Sequence, residues 1–224
     1  MIVRCAAILI ALAFSGPVAA NSLDARRAEV ARIADTVGPD GVGASIAFAG
    51  EDPIDLINGD VPFPMMSTVE TLVSMQALDL VARGDLTLDT QITLSEDDLS
   101  IISPVNLTFP RAPITTTLYS HIWTAIVDSD NSTPNAMMTA MTGPEGVDAW
   151  VKELGVEGID VSRNINGLFM DAYGFDTRDE VRAFIAEREN EPGGSTAFFI
   201  RPLATPFWDD QRDTATPDAM AQIL

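Results

Sequence analysis

The sequence has few of the residues that build thiol, metal or nucleic-acid sites. Its 224 residues include one cysteine and one histidine, and Lys152 is the one lysine. Disulfide bonds and metal centres made of several histidines or thiolates are therefore excluded, and we expect no cofactor. The formal net charge of -20 comes from 33 acidic against 13 basic residues. This balance argues against nucleic acid and anionic lipid as partners, since both require clustered Lys and Arg.

Long hydrophobic runs are also scarce, and the clearest one stands at the amino terminus. Arg4 precedes the apolar run 5–14, and small residues follow at 18–20. The run is too short to span a bilayer, and its charged, apolar, then small-residue order is typical of a cleaved secretory signal. We predict a signal peptide over 1–20, a secreted or periplasmic protein, and no membrane span after cleavage. A short membrane anchor is the alternative.

The remaining chain has an ordinary globular composition, with 46% hydrophobic and 21% charged residues. Its periodicity favours helices that alternate with short extended segments. Helices are predicted over about 23–37, 68–82, 114–127, 135–141, 144–154 and 177–188, with a further helix start at 95–98 and a last helix after Pro217; strands are predicted at 42–49 and 54–57, with 86–94 extended. Between about 160 and 213 the pattern weakens outside the one helix.

Ser67 is the strongest candidate nucleophile. It stands in the segment FPMMSTVE, at the start of a long apolar helix. The free N–H groups and the positive end of a helix stabilise oxyanionic charge at such a position. Glu70 lies one turn along the same face, where a base could take the hydroxyl proton. The alternative is a capping box, in which the serine and the glutamate satisfy backbone N–H groups.

A second polar segment, Ser129-Asp130-Asn131, follows a predicted helix. Ser129 could relay a proton, and Asn131 could hold an amide carbonyl. On its own, such a segment is also common in turns and helix caps.

Taken in order, these segments resemble the class A serine β-lactamases, whose motifs include S-x-x-K, S-D-N and K-T-G. The resemblance rests on FPMMST at 63–68, SPV at 103–105, SDN at 129–131, GPEGVDAWVKELG at 143–155 and RDTATPDAM at 212–220. It implies the α+β, β-lactamase/transpeptidase-like fold, here with a mostly helical subdomain and an incomplete antiparallel sheet that contains the N-terminal strands. It also implies acylation of a serine by a β-lactam, followed by hydrolysis of the acyl-enzyme.

The resemblance implies a role for each matched residue. Ser67 corresponds to the acylated nucleophile, and Ser129 to the serine that passes a proton to the leaving nitrogen. Asn131 corresponds to the asparagine that orients the substrate, and Asp130 to the structural middle residue of the motif.

Arg163 and Asp213 correspond to an ionic clasp across the base of the family's Ω loop. The span between them is longer than that loop, so we expect an expanded Ω-loop region at about 163–213. Ile165 stands where the family has the glutamate that activates the deacylating water, and Phe169 stands where it has the partner asparagine.

Two further departures affect the chemistry. Glu70 replaces the S-x-x-K lysine, which turns a cation beside the nucleophile into an acid. Glu70 could stand in as the base if burial made its carboxylate more basic. The sequence ends at Leu224 without a K-T-G strand, so we expect a truncated β-lactamase-like domain over 21–224.

Three interpretations follow from the sequence. The first is an impaired β-lactamase, in which Ser67 attacks, Glu70 acts as the base and Ser129 donates the proton. The second is a non-catalytic relative or gene fragment that binds peptidoglycan-like ligands. The third is a helical envelope protein in which Ser67 is only a helix cap. We expect a monomer whose partner is a small molecule, either a β-lactam or a peptidoglycan-like peptide.

Overall fold

The computed structural model describes residues 10–14, 20–48, 50–100, 103, 105, 112–188 and 210–224. The chain divides into two compact units. Unit 1 comprises Met1–Thr68, Asp148–Val161 and Gln211–Leu224, and unit 2 comprises Val69–Val147 and Ser162–Asp210.

The described elements follow one another as helices separated by short strands. In chain order they are β1 (Ile10–Phe14), α1 (Ala20–Val37), β2 (Ala44–Phe48), β3 (Ile54–Ile57), β4 (Phe63–Pro64), α2 (Val69–Arg83), β5 (Gln91–Leu94), β6 (Ile114–Thr117), α3 (Leu118–Val127), α4 (Ser132–Ala140), α5 (Gly143–Glu153), α6 (Ile165–Tyr173), α7 (Arg178–Arg188), β7 (Thr214–Ala215) and α8 (Pro217–Ile223), with 3-10 turns at Pro39–Gly41 and Met66–Thr68. Mostly helical structure with small sheets confirms the predicted α+β class.

The main sheet of unit 1 has the strand order β1-β2-β3. β2 pairs in parallel with β1 and antiparallel with β3. β1 lies within the segment that the sequence predicts as a signal peptide, so cleavage after Ala20, which stays a prediction, would remove it. Within the described ranges, no helix is both long and apolar enough to cross a membrane.

Close packing joins β2, β4 and α8 within unit 1. A Cβ atom on Gly43 would lie 2.3 Å from the Phe63 ring and 2.7 Å from the Pro217 ring, so a larger residue would force these elements apart. α8 begins as the sequence predicts. The side chain of Thr216 accepts a hydrogen bond from Ala219 N at 3.1 Å, and Pro217 occupies the first turn.

The core of unit 2 forms around α2. This helix packs against α3 and α4, and α4 also packs against β5 and α6. The side chains that fill the space are fully or almost fully buried, including Leu72, Val73, Ala77, Ile92, Leu94, Leu118, Met137, Met138, Val147 and Leu168. The predicted α2 boundaries agree with the observed ones to within one residue.

The predicted helix over 114–127 is wrong in its first turn. Ile114–Thr117 is β6, which pairs antiparallel with β5 from Leu94↔Ile114 to Gln91↔Thr117. The four residues are all β-branched, and such side chains favour the extended backbone. Thr117 then caps α3, since its side chain accepts a hydrogen bond from Ser120 N at 3.2 Å.

The helix start predicted at 95–98 is also wrong, because this segment forms a turn. Asp98 Oδ2 accepts hydrogen bonds from Ser95 N at 2.8 Å and from Ser95 Oγ at 2.6 Å. The exposed backbone carbonyls of the turn then serve as acceptors. Arg178 donates to Asp97 O at 2.7 Å and to Glu96 O at 2.9 Å. α7, predicted from the sequence, is thereby tied to this turn.

The two leucines on opposite sides of α2 provide a test of the unit 2 core. Leu72 is fully buried and Leu78 is 46% exposed. We expect Leu72→Ala to lower the free energy of unfolding by ~2–5 kcal/mol, because it leaves a cavity. Leu78→Ala, the matched control, should change it by less than about 0.5 kcal/mol. Urea denaturation followed by circular dichroism measures both, and equal effects would contradict the described packing.

Candidate functional site

Ser67 lies in the 3-10 turn Met66–Thr68, which follows β4 in unit 1, and its side chain is exposed. Thr68 closes the turn by donating to Met65 O from its backbone N at 3.0 Å and from its hydroxyl at 2.6 Å. Met66 has φ 48°, a conformation that a side chain of this size rarely adopts. The turn therefore presents the Ser67 hydroxyl to solvent on a constrained backbone.

Asp213 fixes the start of this turn through its backbone. Its carbonyl accepts a hydrogen bond from Met65 N at 3.0 Å, next to the β4–β7 pairing. Asp213 is buried, with φ 54°, and its own N–H donates to Asp160 Oδ1 at 3.0 Å. The sequence predicts Asp213 as half of an ionic clasp. In the structure, the Asp213 backbone also holds the strand that leads to Ser67.

Glu70 and Ser129 meet within unit 2 although 59 residues separate them. Ser129 Oγ lies 3.2 Å from Glu70 Oε1 and 3.1 Å from Oε2, and donates to this carboxylate. Glu70 is 3% exposed, whereas Ser129 is exposed. The carboxylate stands in the first turn of α2, where the positive end of the helix favours negative charge. A capping box alone does not predict this contact.

Asp130 organises the turn that carries Ser129. Its side chain is fully buried, and each oxygen accepts two hydrogen bonds. Oδ1 accepts from Ser132 N at 2.9 Å and from Thr133 N at 2.8 Å. Oδ2 accepts from Val105 N at 2.8 Å and from the Ser103 hydroxyl. One carboxylate thus satisfies the first two N–H groups of α4 and binds Ser103 and Val105.

Asn131 occupies the N-cap position of α4 and is 8% exposed. Its side chain makes no capping hydrogen bond, because the Asp130 carboxylate already accepts from the first N–H groups of the helix. The substrate-orienting role of Asn131 stays a prediction.

The predicted Ω-loop region contains helix α6, which the sequence did not reveal. Arg163 precedes it, and Arg163 Nη1 contacts the carboxylates of Asp171 and, at 3.2 Å, Asp210. These ion pairs lie within unit 2. The pairing of Arg163 with Asp213 stays a prediction.

Ile165, at the position of the family's deacylating glutamate, is the first residue of α6. Its backbone N–H donates to Asn135 Oδ1 at 2.9 Å, and the residue is 3% exposed. Phe169 stacks on Tyr173, with ring centroids 6.2 Å apart. An apolar, buried side chain at 165 offers no base for a water molecule.

Several residues in or next to the predicted site have left-handed backbone. Among the described residues, the non-glycine positions with positive φ are Asn58, Met66, Ser129 and Asp213. Asparagine and aspartate tolerate this conformation, whereas it is costly for Met66 and Ser129. Ser129 and Asp213 are predicted site residues, and Met66 immediately precedes a third, Ser67. Such strain clusters at functional sites, and no sequence motif would have revealed Met66.

His121 has a structural environment. It is 2% exposed, and Nε2 lies 3.3 Å from Ile92 O, while Nδ1 has no hydrogen-bond partner among the described residues. Burial lowers the pKa of His121, against the opposing effects of the Ile92 carbonyl and of Asp130 and Asp98. Within the same residues, no group of three or more His, Cys, Asp and Glu side chains is arranged to hold a metal ion.

Solved structures of β-lactamases share this fold. A β-lactamase from Chitinophaga pinensis is 19% identical, with a TM-score of 0.61, and the match covers 91% of this chain and 62% of that chain. A β-lactamase from Xanthomonas campestris is 22% identical, with a TM-score of 0.59, covering 91% and 61%. A reconstructed ancestral class A β-lactamase is 28% identical, with a TM-score of 0.53, covering 79% and 53%.

The β-lactamase enzyme family matches residues 29–224. The fold and the Ser67 and S-D-N segments define a class A β-lactamase-like protein, and the chain belongs to the β-lactamase enzyme family. It spans less than two thirds of the length of the solved structures it matches.

Removing one acceptor from the Asp130 network should destabilise unit 2. Asp130→Asn replaces a carboxylate oxygen by an N–H group that faces donors. We expect the free energy of unfolding to fall by about 2–4 kcal/mol, since hydrogen bonds to charged groups contribute ~1.5–3 kcal/mol each. The exposed neighbour Asp128 gives the control, because Asp128→Asn should change it by less than about 0.5 kcal/mol. Indistinguishable denaturation midpoints would refute the network's structural role.

The lowered pKa of His121 predicts loss of stability in acid. Between its folded and unfolded pKa values the unfolded state binds more protons, so stability is complete above the unfolded value of about 6.5 and falls as the pH drops below it. His121→Gln cannot charge. Between about pH 7.5 and about pH 5, the wild-type chain should lose more unfolding free energy than this variant. Parallel losses in the two proteins would show that His121 does not contribute.

Proposed function

We propose that the protein is an impaired serine acyltransferase of the β-lactamase type. In this proposal Ser67 is acylated slowly by β-lactams or peptidoglycan-like peptides, and hydrolysis of the acyl-enzyme is inefficient. The observation that carries the proposal is the hydrogen bonding of Ser129 to the buried Glu70 carboxylate, because it links a proton donor to a proton acceptor.

The pair supports a complete set of proton transfers. Ser67 Oγ attacks the amide carbonyl carbon, and its proton passes to the Glu70 carboxylate. The carbon–nitrogen bond breaks, and the leaving nitrogen takes the proton of Ser129. Glu70 then returns its proton to the Ser129 oxygen. At the end of the step Ser129 is again a neutral hydroxyl and Glu70 is again a carboxylate. The substrate is left as an ester on Ser67.

In this proposal, acylation is slow because the Glu70 carboxylate replaces a lysine ammonium. A lysine ammonium stabilises a developing serine alkoxide and attracts an anionic substrate, whereas the Glu70 carboxylate does neither. The Glu70 carboxylate also holds the Ser129 proton, because the single hydroxyl hydrogen is shared between its two oxygens. Ser129 must break this contact before it donates to the leaving nitrogen.

In this proposal, the isoleucine at position 165 makes hydrolysis of the acyl-enzyme slow. Deacylation requires a base that activates water, and the buried isoleucine at the start of α6 cannot accept a proton. The acyl group would therefore remain on Ser67, and turnover would be slow.

A non-catalytic ligand-binding relative is the second candidate, and the buried Glu70 carboxylate favours it. An ionised acid beside the serine repels anionic substrates and disfavours the alkoxide. Binding through Asn131 would then occur without any covalent bond.

A fluorescent penicillin distinguishes the two candidates. The impaired enzyme should show slow, Ser67-dependent labelling that survives denaturing electrophoresis, and mass spectrometry should locate the adduct on the peptide containing Ser67. Ser67→Ala should abolish the label. Reversible binding without any covalent adduct, even after long incubation, would support the non-catalytic relative and refute the acylation proposal.

Glu70→Gln tests the base. The amide keeps the shape of the carboxylate but cannot take the Ser67 proton, so labelling should slow by at least ~10-fold, within the range that general-base catalysis contributes. Glu96→Gln changes an exposed acid and should leave the labelling rate unchanged. An undiminished rate in Glu70→Gln would remove Glu70 from the mechanism without affecting the role of Ser67.

A further inference from the structure

One turn of unit 2 presents its backbone carbonyls to two polar side chains. Arg178, the first residue of α7, donates to Asp97 O at 2.7 Å and to Leu99 O at 2.5 Å. Its guanidinium also donates to Glu96 O at 2.9 Å. Asn166, in the first turn of α6, donates to two of the same oxygens, Asp97 O at 3.0 Å and Leu99 O at 3.3 Å. We call Arg178 and Asn166 the carbonyl clamp.

The clamp acts through backbone carbonyls rather than through charge. A guanidinium offers five N–H donors in a planar fork, and a carbonyl oxygen has two lone pairs. The oxygens of Asp97 and Leu99 each accept one hydrogen bond from Arg178 and one from Asn166. The ion pair between Arg178 and the Asp97 carboxylate is long, at 3.6 Å, and that carboxylate is fully exposed. Such a pair contributes little, so the hydrogen bonds fix the turn.

The clamped turn leads directly to residues that hold Ser129 in place. Ser100 follows the turn, and its backbone N donates to Ser132 Oγ at 2.8 Å. Ser132 N in turn donates to Asp130 Oδ1 at 2.9 Å. Ser100, Ser132 and Asp130 are all buried, and a buried polar group without a partner is costly. A shift of the clamped turn would therefore disturb the Asp130 network, on which the Ser129 turn depends.

Ser129 requires such support because its backbone conformation is strained. Its φ is 50°, which serine rarely adopts and which persists where the surroundings hold it. Its hydroxyl must also reach the Glu70 carboxylate, whose oxygens lie at 3.1 and 3.2 Å. A misplacement of about 1 Å at a reacting group can cost ~100-fold in rate. A small rotation of the turn would thus impair proton transfer by Ser129.

We propose that Arg178 and Asn166 are positioning residues for Ser129, which act through the clamped turn and the Asp130 network. The proposal rests on the proposed function, in which Ser129 gives its proton to the leaving nitrogen. Both clamp residues belong to the segment predicted as an expanded Ω-loop region. In this proposal that region controls acylation, which is a separate step from the activation of water for deacylation.

Two fluorescent acylating reagents test the proposal, because one of them needs the Ser129 proton and the other does not. A penicillin releases an amine nitrogen, which takes a proton as it leaves, whereas a thioester releases a thiolate, which leaves without one. Arg178→Ala should slow labelling of Ser67 by the penicillin ~10-fold or more, and labelling by the thioester should keep its wild-type rate. Equal slowing with both reagents would indicate a general structural effect and overturn the proposal.

A milder variant and a matched control accompany this test. Asn166→Ala leaves the Arg178 hydrogen bonds in place, so it should slow labelling by the penicillin less, with the same selectivity between the reagents. Arg83 forms an ion pair with Asp79 on α2, in which its own side chain is half exposed. Arg83→Ala removes an arginine from a partly exposed pair and should leave both labelling rates unchanged.

Hydrogen exchange separates failure of this proposal from failure of acylation itself. In the unacylated protein, the amides of 129–133 should exchange faster in Arg178→Ala than in the wild-type chain, while those of 76–83 in α2 keep their wild-type rates. Unchanged exchange at 129–133 would overturn the clamp whatever the labelling shows. Absence of Ser67 labelling in the wild-type chain with both reagents would instead refute the acylation on which this proposal rests.

Discussion

A fully buried carboxylate, that of Asp130, holds the most critical part of unit 2 together. Its two oxygens accept from backbone N–H groups at the start of α4 and from Val105 N, and they also bind the Ser103 hydroxyl. An unpaired charge in that position would be strongly destabilising, but four donors surround this one. The Ser129 backbone conformation, and with it the Ser129–Glu70 contact, depends on the turn that this network fixes.

Glu70 stands where the resemblance to class A β-lactamases expects a cation. The carboxylate is accommodated by the positive end of α2 and by the Ser129 hydroxyl. These contacts satisfy the acid without the ammonium that the family places there. The fold therefore accommodates an acid at this position.

The sequence predicted the elements with strong local signals and missed those that depend on tertiary contacts. α2 and α8 have clear apolar periodicity or a Thr-Pro start, and both lie where expected. A β-branched run next to a helix resembles the first turn of that helix in sequence, so only the pairing with β5 identifies β6 as a strand. β4 and β7 contain two residues each, too few for any periodic pattern.

The candidate site shows the same division. Ser67, Ser129 and Asp213 could be found because they stand in recognisable segments. The hydrogen bonds from Ser129 to Glu70, and the backbone link from Met65 to Asp213, join distant parts of the sequence and leave no trace in local composition. Met66 carries no chemical signal at all, and its left-handed backbone is visible only in three dimensions.

The link between Met65 and Asp213 has a consequence for the order in which the protein can mature. The carbonyl that anchors the strand before the Ser67 turn belongs to Asp213, which follows Met65 by 148 residues. While the chain emerges from the ribosome, that anchor is absent until residue 213 has been synthesised. A nascent chain would thus carry an unanchored serine turn until that point.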